Sequence, residues 1–171
     1  MFVQEENTLS QHILVSDPKK VQGFTYLCRS AKTTNEAEMN GVGVIPAQWD
    51  LFFREGALEP FPSRKSDTIL AVYTEYESDE TGSYTFGIGT EIAPTDPLPA
   101  EMTSYSVAEG TYVVFTTRKG PVSEIVVEAW AYIWEWSKTH KRAFLTDFEV
   151  YDERCIDPAN SQVDIYISVL E

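Results

Sequence analysis

Ala143-Phe144-Leu145-Thr146-Asp147-Phe148-Glu149-Val150-Tyr151-Asp152-Glu153 is the stretch of sequence that decides the fold. Residues 147–151 alternate in polarity and are rich in aromatic and β-branched side chains, which predicts a β-strand. The two-residue period places Glu149 and Tyr151 on one face and Phe148 and Val150 on the other. If both faces are covered, Glu149 is a buried carboxylate that needs a positive charge or a hydrogen-bond donor. If the strand lies near an edge, Glu149 is simply hydrated.

The elements around this strand occur twice along the chain in the same order. In the first half we predict, in order, a strand over 21–33, a loop over 35–43, a helix over 45–56, and two strands over 68–77 and 83–92. Residues 12–15 form either a short strand or an extension of the strand that follows. In the second half we predict strands over 102–107 and 111–117 separated by a turn or a bulge, a helix over 122–139, the 147–151 strand and a last strand over 162–170.

The residues of the two halves also agree. Tyr73-Thr74-Glu75-Tyr76-Glu77 aligns with Phe148-Glu149-Val150-Tyr151-Asp152, and Trp49 aligns with Trp130 in the two helices. This predicts an α+β fold built from a duplicated strand–helix–strand–strand unit, with pseudo-two-fold symmetry and a site where the copies meet. We expect one domain over residues 1–171, with repeats at about 12–93 and 101–171 and a Pro-rich linker at 94–100. In this alignment Thr74 stands opposite Glu149, an asymmetry that favours a functional role for Glu149.

The chain is strongly acidic, with 171 residues and a formal net charge of −14. Such a surface repels phosphate backbones, so we expect no direct nucleic-acid binding, and it attracts cations and basic partners. No apolar run approaches the ~20 residues of a membrane span, and the N-terminus lacks the basic residues of a secretory signal. Cys28 and Cys155 are therefore expected to be reduced thiols in a cytoplasmic protein.

Aromatic residues are the main candidates for a binding site. Trp130, Tyr132, Trp134 and Trp136 crowd one predicted helix, as part of the core or as rings around a ligand. Rings around a carboxylate suit a flat or bulky organic cation, because each cation–π contact contributes roughly 0.5–2 kcal/mol. Isolated histidines and the lack of a Cys-x-x-Cys motif predict no metal site and no cofactor, and no catalytic Ser-His-Asp or Cys-His arrangement is visible.

A set of short motifs resembles the GyrI-like effector-binding domains, which occur fused to AraC- and MerR-type regulators and as single-domain proteins. The motifs are Ile45-Pro46-x-x-Trp49 before Phe52, Tyr73-Thr74-x-Tyr76-Glu77-Ser78-Asp79 with Gly82-Ser83-Tyr84, Trp130-x-x-Ile133, and Asp147-Phe148-Glu149-x-Tyr151-Asp152. The resemblance runs from about Val21 to the C-terminus. It implies an antiparallel sheet with two main helices and a ligand cleft between the halves. It also implies a cleft floor at Glu149 and cleft walls that include Tyr151, Ile45, Trp49 and Trp130. We add Tyr76 and Trp134 to the predicted ligand-binding residues.

The resemblance implies a small-molecule-binding protein of the transcription-regulator type, with a lipophilic and cationic ligand. No DNA-binding domain fits before Val21, so the resemblance implies a stand-alone binder rather than a complete transcription factor. Binding is favoured over enzymatic activity. Two alternatives remain open. Some members of this family hydrolyse cyclopropane-containing DNA-alkylating compounds, for which Glu149 would orient or deprotonate a water. Others inhibit gyrase, for which the acidic surface would bind a protein partner.

Overall fold

The computed structural model describes residues 13–93, 98–99 and 101–170. Residues 94–97 and 100 of the predicted linker therefore lie outside the described residues, as does His12. Within the described ranges the chain forms nine β-strands, three α-helices and one short 3₁₀-helix. In chain order they are β1 (Leu14–Val15), β2 (Lys19–Val21), β3 (Phe24–Thr34), α1 (Asn35–Met39), α2 (Ile45–Arg54), β4 (Ile69–Thr74), β5 (Ser83–Ile92), β6 (Thr103–Val107), β7 (Gly110–Thr116), α3 (Val122–Ser137), β8 (Thr146–Tyr151), the 3₁₀-helix (Glu153–Cys155) and β9 (Asp164–Ser168).

All the strands belong to one antiparallel sheet, which confirms the predicted α+β class. The strand order is β1-β7-β9-β8-β4-β5-β3-β6, and β2 also pairs with β7. The strands β4 and β8 pair at the centre. In the first half β4 is followed outward by β5 and β3, and in the second half β8 is followed outward by β9 and β7, so the two halves have the same arrangement. The predicted boundaries of α2, β5 and α3 agree with the structure to within about two residues.

The two halves exchange their first strands. β2 pairs with β7 and β6 pairs with β3, in one register that runs from Lys19↔Tyr112 to Cys28↔Thr103. The predicted 21–33 strand is therefore wrong at its start, because Val21 belongs to β2. Gly23 lies where the chain passes from β2 to β3. A Cβ added there would lie 2.8 Å from the carbonyl oxygen of Val107, so this position requires glycine.

The sequence alignment of Thr74 with Glu149 is wrong, because the two side chains lie on opposite faces of the sheet. Ala71 lies directly opposite Glu149 in the β4–β8 ladder, so Ala71 and Tyr73 share the face of Glu149. Thr74 points to the other face, where its hydroxyl lies 2.8 Å from that of Thr146. A shift by an odd number of residues moves every side chain to the opposite face of a strand, and the sequence alignment contained such a shift.

The strand registers define which residues are equivalent under the pseudo-two-fold axis. We align Phe24, the first residue of β3, with Gly110, the first residue of β7, and follow the strand pairing from β3 through β5 to β4 and from β7 through β9 to β8. Ala71 is then equivalent to Glu149, and Tyr73 is equivalent to Tyr151. The axis therefore passes through the Ala71↔Glu149 pair at the centre of the sheet. The asymmetry of charge that the sequence suggested is real, but the counterpart of Glu149 is alanine.

The predicted loop over residues 35–43 is also wrong, because Asn35–Met39 forms the short helix α1. The Thr34 hydroxyl accepts a hydrogen bond from the Ala37 amide at 3.0 Å and caps this helix. The Glu38 carboxylate then accepts hydrogen bonds from the Val44 and Ile45 amides at 2.7 and 3.2 Å. These contacts fix the start of α2 relative to the end of β3.

Thr34→Ala is expected to lower the free energy of unfolding by about 0.5–2 kcal/mol, because the α1 amide loses its cap. Urea denaturation of the variant beside the wild type measures this loss. Thr34→Ser retains the hydroxyl and is the matched control, so it should remain close to the wild type. Equal destabilisation by both substitutions would show that the cap contributes nothing and that only the methyl group matters.

The helices α2 and α3 cover one face of the sheet. α3 packs on the second half through Ile125, Ala129 and Ile133, while Phe52 of α2 packs on the first half. The opposite face carries its own buried cluster, which includes Tyr26, Tyr112 and Phe148. None of the helices in the described part of the chain has the length and apolar character of a membrane span. The core therefore leaves the groove between α2 and α3, above β4 and β8, for a site.

Candidate functional site

A cavity of about 740 Å³ lies between α2 and α3 near the sheet centre. It is lined by Ile45, Pro46, Trp49 and Phe53 of α2, by Val122, Ser123, Val126 and Val127 of α3, and by Ile69, Tyr151, Cys155, Ile156, Pro158 and Ser161. Cavities of this volume hold drug-sized ligands, and a mainly apolar lining is typical of them. We call it the larger cavity.

A smaller cavity of about 230 Å³ lies beside it. It is lined by Asn35, Ile45, Tyr73, Tyr76, Glu80, Tyr84, Val126, Val127, Trp130, Ala131, Trp134 and Arg142. Ile45, Val126 and Val127 line both cavities, so the two are adjacent parts of one cleft.

Glu149 lies beneath this cleft and is 2% exposed. Its Oε2 atom accepts hydrogen bonds from the Tyr73 hydroxyl and from Trp130 Nε1, each at 2.7 Å. Its Oε1 atom accepts one from the Tyr151 hydroxyl at 2.5 Å. Burial raises the pKa of Glu149 above its ordinary value, and the hydrogen bonds from Tyr151, Tyr73 and Trp130 oppose that rise. Burial also raises the pKa of Tyr73 and Tyr151, so both hydroxyls stay protonated and can donate.

The aromatic rings around Glu149 form two pairs related by the pseudo-two-fold axis. The Trp130 ring meets the Tyr73 ring edge to face at 5.1 Å, and the Trp49 ring meets the Tyr151 ring in the same manner at 5.1 Å. Trp130 donates to the carboxylate, whereas Trp49 borders the larger cavity. The site is thus an aromatic frame that is symmetric except for a single carboxylate at its centre.

Asp147 is a second buried carboxylate on the same face of β8, and its environment differs. It accepts from Arg142 Nη2 at 2.8 Å and from the Tyr76 hydroxyl at 2.6 Å. The Ser168 amide and hydroxyl donate to its other oxygen. Asp147 is therefore neutralised by a buried cation, whereas Glu149 forms no ion pair with any residue in the described ranges.

The seven residues that the sequence singled out all lie in or directly beneath this cleft. Trp49 and Tyr151 line the larger cavity, Tyr76, Trp130 and Trp134 line the smaller one, Ile45 lines both, and Glu149 lies under them. Sequence reasoning missed Tyr73, although the two-residue period and a correct alignment of the halves would have found it. It also missed Arg142, which lies in an irregular segment five residues before its partner Asp147. The described residues contain no cluster of His, Cys, Asp or Glu with the geometry of a metal site.

Comparison with known proteins places these features in context. Residues 14–169 match the family model Cass2, described as an integron-associated effector binding protein. The chain is 37% identical over 159 residues to the putative transcriptional regulator protein YobU of Bacillus subtilis (strain 168), a match that covers 92% of this chain and 96% of that protein.

Solved structures show the same fold. The integron cassette protein VCH_CASS2 from the mobile metagenome of Vibrio cholerae is 30% identical, with a TM-score of 0.72 over 94% of this chain and 97% of that chain. SAV2435 bound to tetraphenylphosphonium is 15% identical, with a TM-score of 0.72 over 90% of this chain and 93% of that chain. The second likeness establishes the fold alone.

Proposed function

The chain belongs to the family of integron-associated effector-binding proteins, and from that premise we propose that it binds a lipophilic organic cation, with Glu149 as the countercharge. The observation that carries this proposal is the unbalanced charge of Glu149. Three neutral donors hold this buried carboxylate, while its neighbour Asp147 has Arg142. A buried charge without a counterion is costly, and a cationic ligand would supply the missing charge.

The hydrogen bonds of Glu149 indicate the side from which the cation approaches. Oε2 already accepts two donors, whereas Oε1 accepts only the Tyr151 hydroxyl among the described residues. A carboxylate oxygen has about two acceptor directions, so Oε1 retains one. Tyr151 lines the larger cavity together with Trp49. We therefore assign the cation to the larger cavity, near Oε1 and the rings of Trp49 and Tyr151.

The lining of the larger cavity suits a ligand with bulky apolar groups. Ile45, Val126 and Phe53 provide aliphatic and aromatic surface from both helices. Apolar burial contributes about 25 cal/mol per Å², and cation–π contact with Trp49 contributes roughly 0.5–2 kcal/mol. Together with a charge-assisted contact to Glu149, these terms are consistent with roughly micromolar affinity. Because none of them demands a unique shape, we infer a range of lipophilic drugs as ligands.

We further propose that ligand binding serves transcription regulation in the cytoplasm, as in the wider GyrI-like group that the sequence motifs resemble. The name of YobU supports a regulatory role, and the complex of SAV2435 with tetraphenylphosphonium supports a cationic ligand. A net charge of −14 disfavours direct contact with nucleic acid. The ligand signal would then reach DNA through a protein partner that recognises the acidic surface.

Isothermal titration calorimetry with two ions of opposite charge tests the binding proposal. Tetraphenylphosphonium and tetraphenylborate have nearly the same size and shape, so a difference in affinity reports charge alone. We expect saturable binding of the cation at one site per chain and at least about tenfold weaker binding of the anion. Equal affinities would show that apolar burial alone drives binding, and absence of cation binding would refute the proposal.

The affinity for tetraphenylphosphonium is expected to fall as the pH is lowered through the pKa of Glu149. Burial raises that pKa above 4.5, so the loss begins at a higher pH than for an exposed glutamate. Below the pKa of the free protein, each pH unit should cost about tenfold in affinity, because the cation selects the ionised form. Titrations across this range measure the profile. A Glu149→Gln variant should show a flat profile, and a flat profile in the wild type would contradict the assignment.

A further inference from the structure

We propose that the smaller cavity is a second cation subsite, so that the preferred ligand is an elongated lipophilic dication rather than a compact monocation. This inference rests on the proposed function, because one charge of the dication is placed at Glu149. The two cavities share Ile45, Val126 and Val127, so an alkyl spacer that runs past these side chains connects them. The second charge then lies at the end of the cleft formed by Trp134, Tyr84 and Glu80.

The lining of the smaller cavity offers rings and hydrogen-bond acceptors. Tyr73, Tyr76, Tyr84, Trp130 and Trp134 supply five aromatic rings. The Tyr84 hydroxyl donates to Asn35 Oδ1 at 3.0 Å and the Tyr76 hydroxyl donates to Asp147, so the protons of both are already used. Their oxygens keep acceptor lone pairs, as does the side chain of Asn35. Aromatic faces combined with acceptors are the surroundings that a small ammonium group prefers.

Glu80 gives this end of the cleft a negative charge. It lies in the turn Glu77-Ser78-Asp79-Glu80-Thr81-Gly82, which contains three acidic residues and no basic one. The side chain of Asn35 donates a hydrogen bond to the Glu80 backbone carbonyl at 2.9 Å, which holds this turn against α1 and the cavity. The mouth of the larger cavity is different, because none of the residues that line it carries a charge, including the exposed Phe53, Val127 and Ile156.

Arg142 also lines the smaller cavity, but its charge is already balanced. Its side chain is 3% exposed, and its Nη2 atom forms the 2.8 Å ion pair with Asp147. Its guanidinium group also lies 4.4 Å from the centre of the Phe144 ring. Of the two charged side chains in this lining, Arg142 therefore has an ion-pair partner and Glu80 has none among the described residues.

The test compares two ligands that differ in one charge. Each has a triphenylphosphonium group and an alkyl spacer, which ends either in trimethylammonium or in its neutral isostere, a tert-butyl group. With a series of spacers, we expect the trimethylammonium compound to bind the wild type about three- to tenfold more tightly at the optimal length. A ratio near one at every length would overturn the proposal.

Three variants locate the second charge. Glu80→Gln is expected to reduce the ratio of the two affinities by about threefold, because the carboxylate is lost. Glu77→Gln removes the same charge from the same turn at a position that does not line the cavity, so it should leave the ratio unchanged. Ala131→Phe places a ring at the mouth of the smaller cavity and should abolish the preference while the tert-butyl compound still binds. Equal ratios for Glu80→Gln and Glu77→Gln would contradict the subsite.

Glu149→Gln separates this inference from the function on which it rests. It should weaken both compounds to the same degree and leave their ratio unchanged. If neither compound binds the wild type, or if Glu149→Gln has no effect on either, the proposed function fails. If both bind through Glu149 with equal affinity, the function stands and the second subsite fails.

Discussion

Glu149→Gln is expected to weaken tetraphenylphosphonium binding by about 10- to 150-fold, equivalent to about 1.5–3 kcal/mol. The substitution keeps the shape of the side chain and an oxygen that can accept from Tyr73, Trp130 or Tyr151. It removes the negative charge that balances the ligand, at a side chain that is buried in the free protein. Calorimetric titration of the two proteins under the same conditions measures the difference.

The control for this prediction is Glu153→Gln, which changes the net charge equally at an exposed position two residues after β8. It should change the affinity by less than about twofold, because exposed charges at a distance are screened by salt. If both variants lose affinity equally, the effect is one of overall charge. If Glu149→Gln binds as tightly as the wild type, Glu149 is not the countercharge.

The same substitution is expected to make the free protein more stable at neutral pH. The pKa of Glu149 is higher in the folded protein than in the unfolded chain, so the folded state favours the protonated form. The fold therefore loses stability as the pH rises through this window, and the loss is complete above the folded-state pKa. A gain in stability of about 0.5–2 kcal/mol together with a loss of affinity is typical of a residue retained for function.

Arg142→Met is expected to lower the free energy of unfolding by about 3–5 kcal/mol. It would leave Asp147, which is fully buried, without its cation, although Tyr76 and Ser168 would still donate to it. Adding Asp147→Asn to Arg142→Met should recover part of the loss, because the uncompensated charge is then removed. Chemical denaturation of the single and double variants measures both effects.

Glu135→Gln provides the comparison on the surface. Its ion pair with Lys138 has both side chains about 70% exposed, and such pairs contribute roughly 0–1 kcal/mol. A cost below about 1 kcal/mol for Arg142→Met would contradict the view that this buried pair supports the floor of the cleft. A double variant no more stable than the single variant would locate the cost in lost packing instead of lost charge.

Local sequence patterns predicted the elements of the site well. The two-residue period correctly placed Glu149 and Tyr151 on one face of β8, and the helical spacing of Ile45, Trp49 and Phe52 correctly predicted α2. These predictions succeed because the spacing of residues along a strand or helix decides which of them share a face. The aromatic walls near Glu149 were implied by the resemblance to the effector-binding domains, because the pattern alone left these rings as core or as part of a site.

Long-range pairing accounts for most of what the sequence did not reveal. The exchange of β2 and β6 depends on a register between segments about 85 residues apart, and no local pattern encodes it. The alignment of Thr74 with Glu149 failed for the same reason, since matching letters do not reveal which face a residue occupies. The Arg142–Asp147 pair was missed for a different reason. The two residues are five positions apart, but Arg142 lies outside the helices and strands, where spacing does not indicate the direction of a side chain.

The position of the bound cation is the most direct test of the central claim. Tetraphenylarsonium has nearly the shape of tetraphenylphosphonium, and its arsenic atom gives an anomalous signal in a crystal of the complex. We predict one arsenic peak in the larger cavity, nearer to Glu149 Oε1 than to Oε2 and within about 6 Å of the Trp49 or Tyr151 ring centre. A peak on the protein surface, or in the cleft but remote from Glu149, would contradict the account.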